Sequence, residues 1–152
     1  MDVDRTKLNG SDVFLIKQVW NEKEASKLPA RTLAYIGDSV YELSLRLNLV
    51  AKGIDATGRL HDSLVGIVNS PAQAQVFEAI FPELPEADQK MVKSWRNAKI
   101  PARYGSGTRG EYARATALEA WCGYLFVTGQ TERLTKIIEL ALKLEEEKKE
   151  KN

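Results

Sequence analysis

Between Leu33 and Leu49 the chain is apolar on almost every side of a helix, yet an aspartate sits in the middle of the run. Leu33, Ile36, Val40, Leu43 and Leu47 recur at helical spacing, and Ala34, Tyr41, Leu45 and Leu49 line the opposite side around Asp38 and Glu42. A helix apolar around its whole girth is a buried helix. An ionised Asp placed there is costly to desolvate unless a partner or a coordinated ion compensates it. This stretch therefore demands a helical core and asks what Asp38 is for.

The rest of the chain carries the same helical signal. Pro29 suits a first helical turn because it has no N–H to lose, so a helix is predicted over 30–51, with Gly53 ending it. Thr57 is a candidate cap for a helix over 58–69, and Ser70-Pro71 for one running to 81. Pro82 and Pro85 bracket a turn before a helix over 86–98. Residues 100–110, rich in Gly and Arg, read as a loop, followed by a sixth helix over 112–128 and a turn at Gly129-Gln130. Thr131 is a candidate cap for a seventh, whose apolar face is Leu134, Ile137, Ile138, Leu140, Ala141 and Leu144. Neither β-alternation nor a repeat breaks the pattern, so the expected fold is all-α with about seven helices. Three segments are expected: 1–27, an arm or short helix packing through Phe14, Leu15, Val19 and Trp20; a domain over 28–145; and a charged tail, 146–152.

Charge and composition narrow the function. The formal net charge is only +1, so an affinity for nucleic acid must come from where the charges sit. One cysteine, Cys122, excludes an internal disulfide, suits a reducing compartment and reads as a small buried hydrophobe. The first residues include Asp2, Asp4, Arg5 and Lys7, unlike a signal peptide, and charges interrupt every long apolar run. A soluble, cytoplasmic protein with no membrane span is expected.

A second acid is as misplaced as the first. Between Tyr112 and Thr131 the charged residues are Arg114 and Glu119, and Glu119 lies in an otherwise apolar helix with Gly123 one turn on. That glycine costs helix propensity, which points to close packing at its face. Two acids stranded in buried helices suggest that they meet, and a divalent cation would offset their repulsion. The alternative is a buried salt bridge for each, with Arg31, Arg46, Arg96 and Arg114 as candidate partners. Leading into the Glu119 helix, Lys90, Lys93, Arg96, Lys99, Arg103, Arg109 and Arg114 stand against Glu111 alone, with Trp95 and Tyr104 interleaved. Such a strip is a footprint for phosphates.

These residues resemble a known family. Tyr35-Ile36-Gly37-Asp38-Ser39-Val40 is similar to the signature helix of ribonuclease III endonuclease domains, and Leu118-Glu119-Ala120 with Gly123 to their second acidic helix. Arg96-Asn97-Ala98-Lys99, the Gly/Arg loop and the short length resemble the Mini-III branch, which lacks a double-stranded-RNA-binding domain. The likeness covers roughly residues 28–145. It implies the all-α ribonuclease III fold, a homodimer, and Mg²⁺-dependent cleavage of double-stranded RNA to 5′-phosphate and 3′-hydroxyl ends. The branch's substrate, the 23S ribosomal RNA precursor, becomes the expected one, with a ribosomal protein as a further candidate partner. Asp38 and Glu119 become the catalytic, metal-binding acids, and Arg96, Asn97, Lys99, Arg103, Arg109, Asn69 and His61 candidate RNA contacts. Larger members carry acids where this chain has Ala34 and Thr116, so two of four remain. Thr116 is then a candidate to hold a metal-bound water and Glu42 a candidate support for Asp38, although a core or interface salt bridge also accounts for Glu42.

A two-fold dimer would set one cleft on each RNA strand. Leu33, Ile36 and Val40 are expected at its interface, with Gly37 allowing backbones to approach. For His61 the competing reading is an ordinary surface side chain, and for Asn69 a helix-terminal one. Trp95 and Trp121 are expected in the core. The rival function is a non-catalytic RNA-binding or ribosome-associated module that kept the fold after losing two acids. An all-α nucleotide pyrophosphohydrolase would need acids clustered on one helix, which only Asp38/Glu42 offer.

Overall fold

A computed structural model of the 152-residue chain describes residues 20–53, 57–101 and 107–151. Among the described residues there are seven α-helices and no strand. In chain order they are α1 (Glu22–Ser26), α2 (Ala30–Ala51), α3 (Thr57–Ile67), α4 (Ser70–Ile80), α5 (Glu86–Arg96), α6 (Arg109–Val127) and α7 (Thr131–Lys151), with a single 3₁₀ turn, Phe81–Glu83, between α4 and α5. Residues 1–19 and 102–106, which include Phe14, Leu15, Val19 and Arg103, lie outside the described part.

The organising element is α6. Ten of its residues are buried, from Ala115 to Val127, because it has no polar face to keep in water. The other helices surround it, with α2 packed along most of its length and α4 and α5 on its remaining sides. Trp121 of α6 stacks on Tyr124, ring centroids 5.4 Å apart, and Trp95 of α5 tilts against both. The Arg133 guanidinium of α7 covers the Trp121 ring at 4.8 Å while bonding Asp88 of α5 at 2.9 Å, which ties three helices together. Trp95, Trp121 and Cys122 are core residues, as expected.

The contact between α2 and α6 is unusually close. A Cβ on Gly37 would lie 1.6 Å from the Glu119 carbonyl oxygen, and one on Gly123 would lie 2.1 Å from that of Leu33. The expected close packing at Gly123 is therefore present. Gly37 departs from expectation, because the backbone it approaches is α6 of its own chain rather than a second copy. Leu33 also leaves the expected interface, being fully buried within this chain. The buried line of α2 is Leu33, Gly37, Tyr41, Leu45 and Leu49, every fourth residue, so this i+4 ridge carries the packing. Ile36 and Val40 are half-buried at its edge, and Tyr35, Leu43, Leu47 and Val50 face outward.

Several boundaries move for local reasons. Asn69 rather than Ser70 caps α4: its Oδ1 accepts from Ala72 N–H at 2.8 Å. Thr108 and Glu111 form a reciprocal capping box, so α6 starts at Arg109, three residues earlier than the periodicity suggests. Residues 146–151 are not a separate tail, since α7 continues to Lys151 and Glu146 bonds Lys52 beside the end of α2 at 2.9 Å.

Gly37→Ala is expected to cost about 3 kcal/mol or more of unfolding free energy, because the added methyl must push two helix backbones apart. Gly58→Ala, where the new methyl meets nothing within 4 Å, is expected to be neutral or slightly stabilising. Urea denaturation of both variants checks the pair.

Candidate active site

Because Gly37 lets the α6 backbone in so closely, the next residue along α2, Asp38, is carried to the side of Glu119 on α6. The two carboxyl groups lie close enough to perturb one another electrostatically. Burial raises the Glu119 carboxyl from the ordinary carboxylate range to about 8, with the Asp38 carboxyl next in effect and the Glu42 charge last. Glu119 is the half-buried member and Asp38 the exposed one. Neither is held by an arginine among the described residues: Arg46 bonds Glu42 at 3.0 Å, and Arg114 pairs with Glu78 at 3.3 Å. The salt-bridge alternative for the two acids thus finds no support among the described residues, while Glu42 pairs with Arg46 one turn along its own helix, at the surface rather than in the core.

Asp38 and Glu119 open into a cleft of about 270 Å³. Ala34 and Thr116, the other two positions that the resemblance singled out, line the same cleft. Arg31, Arg96 and Lys99 bring positive charge to its wall, and Tyr35 and Tyr112 bring aromatic surface. Asn97, the exposed C-cap of α5, sits in the chain between Arg96 and Lys99. Among the described residues no group of three or more His, Cys, Asp or Glu side chains is arranged to hold a metal, so any cation here would rest on the acid pair with waters and substrate completing its shell.

Other candidate RNA contacts lie elsewhere. His61 is exposed on α3, beside a separate groove formed with Arg46, Leu49, Val50, Leu60 and Leu64. The Asn69 amide is consumed by structure, its Nδ2 donating to the Val65 and Gly66 carbonyls while its Oδ1 caps α4. Arg109 is exposed in the first turn of α6, and Arg103 falls outside the described residues. Arg114 leaves the basic strip by turning to α4. The cleft residues not singled out as site residues from sequence, Arg31, Tyr35 and Tyr112, each sit three or seven positions from an acid on its helix. That spacing was the available signal.

Comparison with known proteins agrees with this geometry. Residues 31–130 match the Ribonuclease III domain. The chain belongs to the ribonuclease III family. Within it, the chain is 39% identical to the Mini-ribonuclease 3 of Symbiobacterium thermophilum over 75% of its own length and 88% of that protein. It is 37% identical to the Mini-ribonuclease 3 of Brevibacillus brevis, over 75% and 85%. Protein FN1578 from Fusobacterium nucleatum has the same fold, with a TM-score of 0.72, 29% identity, and coverage of 78% of this chain and 95% of that one. This chain is thus a Mini-III member of the family, and its all-α architecture is the family's.

The raised Glu119 carboxyl sets a pH dependence. Its folded value lies above its unfolded one, so the folded state holds the extra proton between about 4.5 and about 8, and stability falls as pH rises through that window. Glu119→Gln removes this penalty. Without added metal, it is expected to be about 2 kcal/mol more stable than wild type at pH 9, with the difference gone near pH 4, as read by denaturation at each pH.

Proposed function

We propose that this ribonuclease III-type endoribonuclease is a Mg²⁺-dependent enzyme that cleaves double-stranded RNA and matures the 23S ribosomal RNA precursor in the cytoplasm. Membership of the family supports endonucleolytic cleavage of RNA. The single observation that carries the metal-dependent reading is the meeting of Asp38 and Glu119 in an open cleft, where no salt bridge among the described residues engages either acid. A pair that holds back a proton when bare suits a hard divalent cation, which replaces that proton and leaves both acids ionised. When bound, such a cation supplies an activated water and offsets charge at the scissile phosphate.

The chain's own residues account for the rest. Arg31, Arg96 and Lys99 meet the RNA backbone electrostatically, which supports recognition by shape and phosphate rather than by base sequence. The Thr116 hydroxyl, one turn before Glu119, is positioned to hold a water at the acid pair. The products are 5′-phosphate and 3′-hydroxyl ends. A precursor RNA presented together with a ribosomal protein is the fuller form of the same substrate.

A homodimer completes the proposal. Tyr35 is 80% exposed, Leu47 58% and Val50 57%, all on one helix. Val40, Leu47, Phe126, Leu134 and Ile138 line an apolar groove of about 470 Å³ between α2, α6 and α7. Surface of this kind supports a self-complementary interface that sets two clefts on opposite strands.

With Mg²⁺ and a long RNA duplex, wild type is expected to cut both strands. Asp38→Asn and Glu119→Gln are expected to lose at least about 10³-fold in rate while retaining duplex binding. A wild type that cuts no duplex or precursor RNA would return the chain to the non-catalytic module. Sedimentation checks the assembly: the reading expects a dimer that Leu47→Asp converts to monomer, and a monomeric wild type contradicts it.

A further inference from the structure

Behind the acid pair lies a polar group that the mechanism above does not use. Tyr41 is completely buried, one turn beyond Gly37 on the ridge that meets α6. Its hydroxyl has no hydrogen-bond partner among the described residues. Leaving a phenolic hydroxyl unsatisfied in a packed core is unfavourable, and a phenylalanine would fill nearly the same volume without that penalty. Side chains on a helix lean toward its N-terminus, so the Tyr41 ring leans back toward the Gly37 crossing, where α6 presents Glu119 and Gly123. Two α6 side chains are felt electrostatically: burial pushes the Tyr41 phenol up, and the charges of Cys122 and Glu119 push it further. Cys122 is wholly buried and at best a weak acceptor, which leaves the Glu119 carboxylate as the strong acceptor nearby.

We propose that Tyr41 is a positioning residue whose hydroxyl donates to the buried side of the Glu119 carboxylate when Asp38 and Glu119 hold their divalent cation. Without the cation the phenol has no hydrogen-bond partner among the described residues, so the bond is one that the loaded site would make. A Glu119 carboxylate that gives one oxygen to the cation keeps lone pairs on the other, and an oxygen facing the helix interface can accept from Tyr41. A donor there fixes the carboxylate's orientation from behind, the role that residues around metal ligands commonly perform. The inference rests on the metal-dependent reading and adds a residue to it.

Tyr41→Phe separates the possibilities. It is expected to fold, with metal-free thermal stability unchanged or higher, because the variant deletes an unsatisfied group. Its Mg²⁺ half-saturation for cleavage is expected to rise by about 10-fold with the KM for duplex RNA unchanged. Calorimetric titration with Mg²⁺ alone, without RNA, is expected to show the same loss of affinity. An unchanged Mg²⁺ affinity in a folded Tyr41→Phe protein overturns the assignment, as does a lowered metal-free stability with metal affinity intact, which marks a purely structural tyrosine. If wild type itself cleaves duplex RNA without responding to Mg²⁺, the metal-dependent reading fails first and Tyr41 with it.

Discussion

Everything about the site follows from how closely two helix backbones touch. At Gly37 and Gly123 there is no room for a single Cβ on either side of the α2–α6 contact. With larger residues at both positions the helices would stand further apart, and Asp38 would be carried away from Glu119. The close contact also gives α6 its character. From Ala115 on, a helix embraced so tightly has no solvated side, which is why that stretch is almost wholly apolar and why Glu119 stands out in it.

The electrostatics divide the cleft into two zones. Its floor is acidic and reluctant to ionise, because a carboxyl half-buried beside another must give up solvation to carry charge. Its wall is basic, with Arg31, Arg96 and Lys99 in positions to meet phosphates. Among the described residues no salt bridge links the two zones, and Arg46 and Arg114, two other candidate partners, are committed to Glu42 and Glu78. In the proposed reading a divalent cation stands between the polyanion and the two acids.

Helix number and order were readable from apolar spacing and from Pro and Gly punctuation, because each helix buries one stripe and stops where the backbone must turn. Asp38 and Glu119 were readable as a pair because each is out of place on its own helix. What the sequence concealed were matters of depth and partnership. The apolar girth of α2 holds two stripes of similar hydrophobicity, and only the docking of α6 selects Leu33, Gly37, Tyr41, Leu45 and Leu49 for burial over the outward Leu43 and Leu47. Gly37 was expected to serve a second copy, since periodicity alone cannot say whose backbone a glycine admits. The basic strip looked continuous in one dimension, but helical rotation sends Arg114 to α4 and keeps Arg96 and Lys99 at the cleft. Asn69 was obscured for a similar reason, because an amide that closes one helix and caps the next looks like an available polar contact until its three bonds are traced.

The central claim is that Asp38 and Glu119 jointly hold a divalent cation. Anomalous diffraction from crystals soaked in Mn²⁺, a spectroscopically visible substitute for Mg²⁺, tests it most directly. The account predicts a peak within coordination distance of both carboxylates, absent from crystals of Glu119→Gln. Density at neither acid, or at a site that keeps its occupancy in that variant, would contradict it.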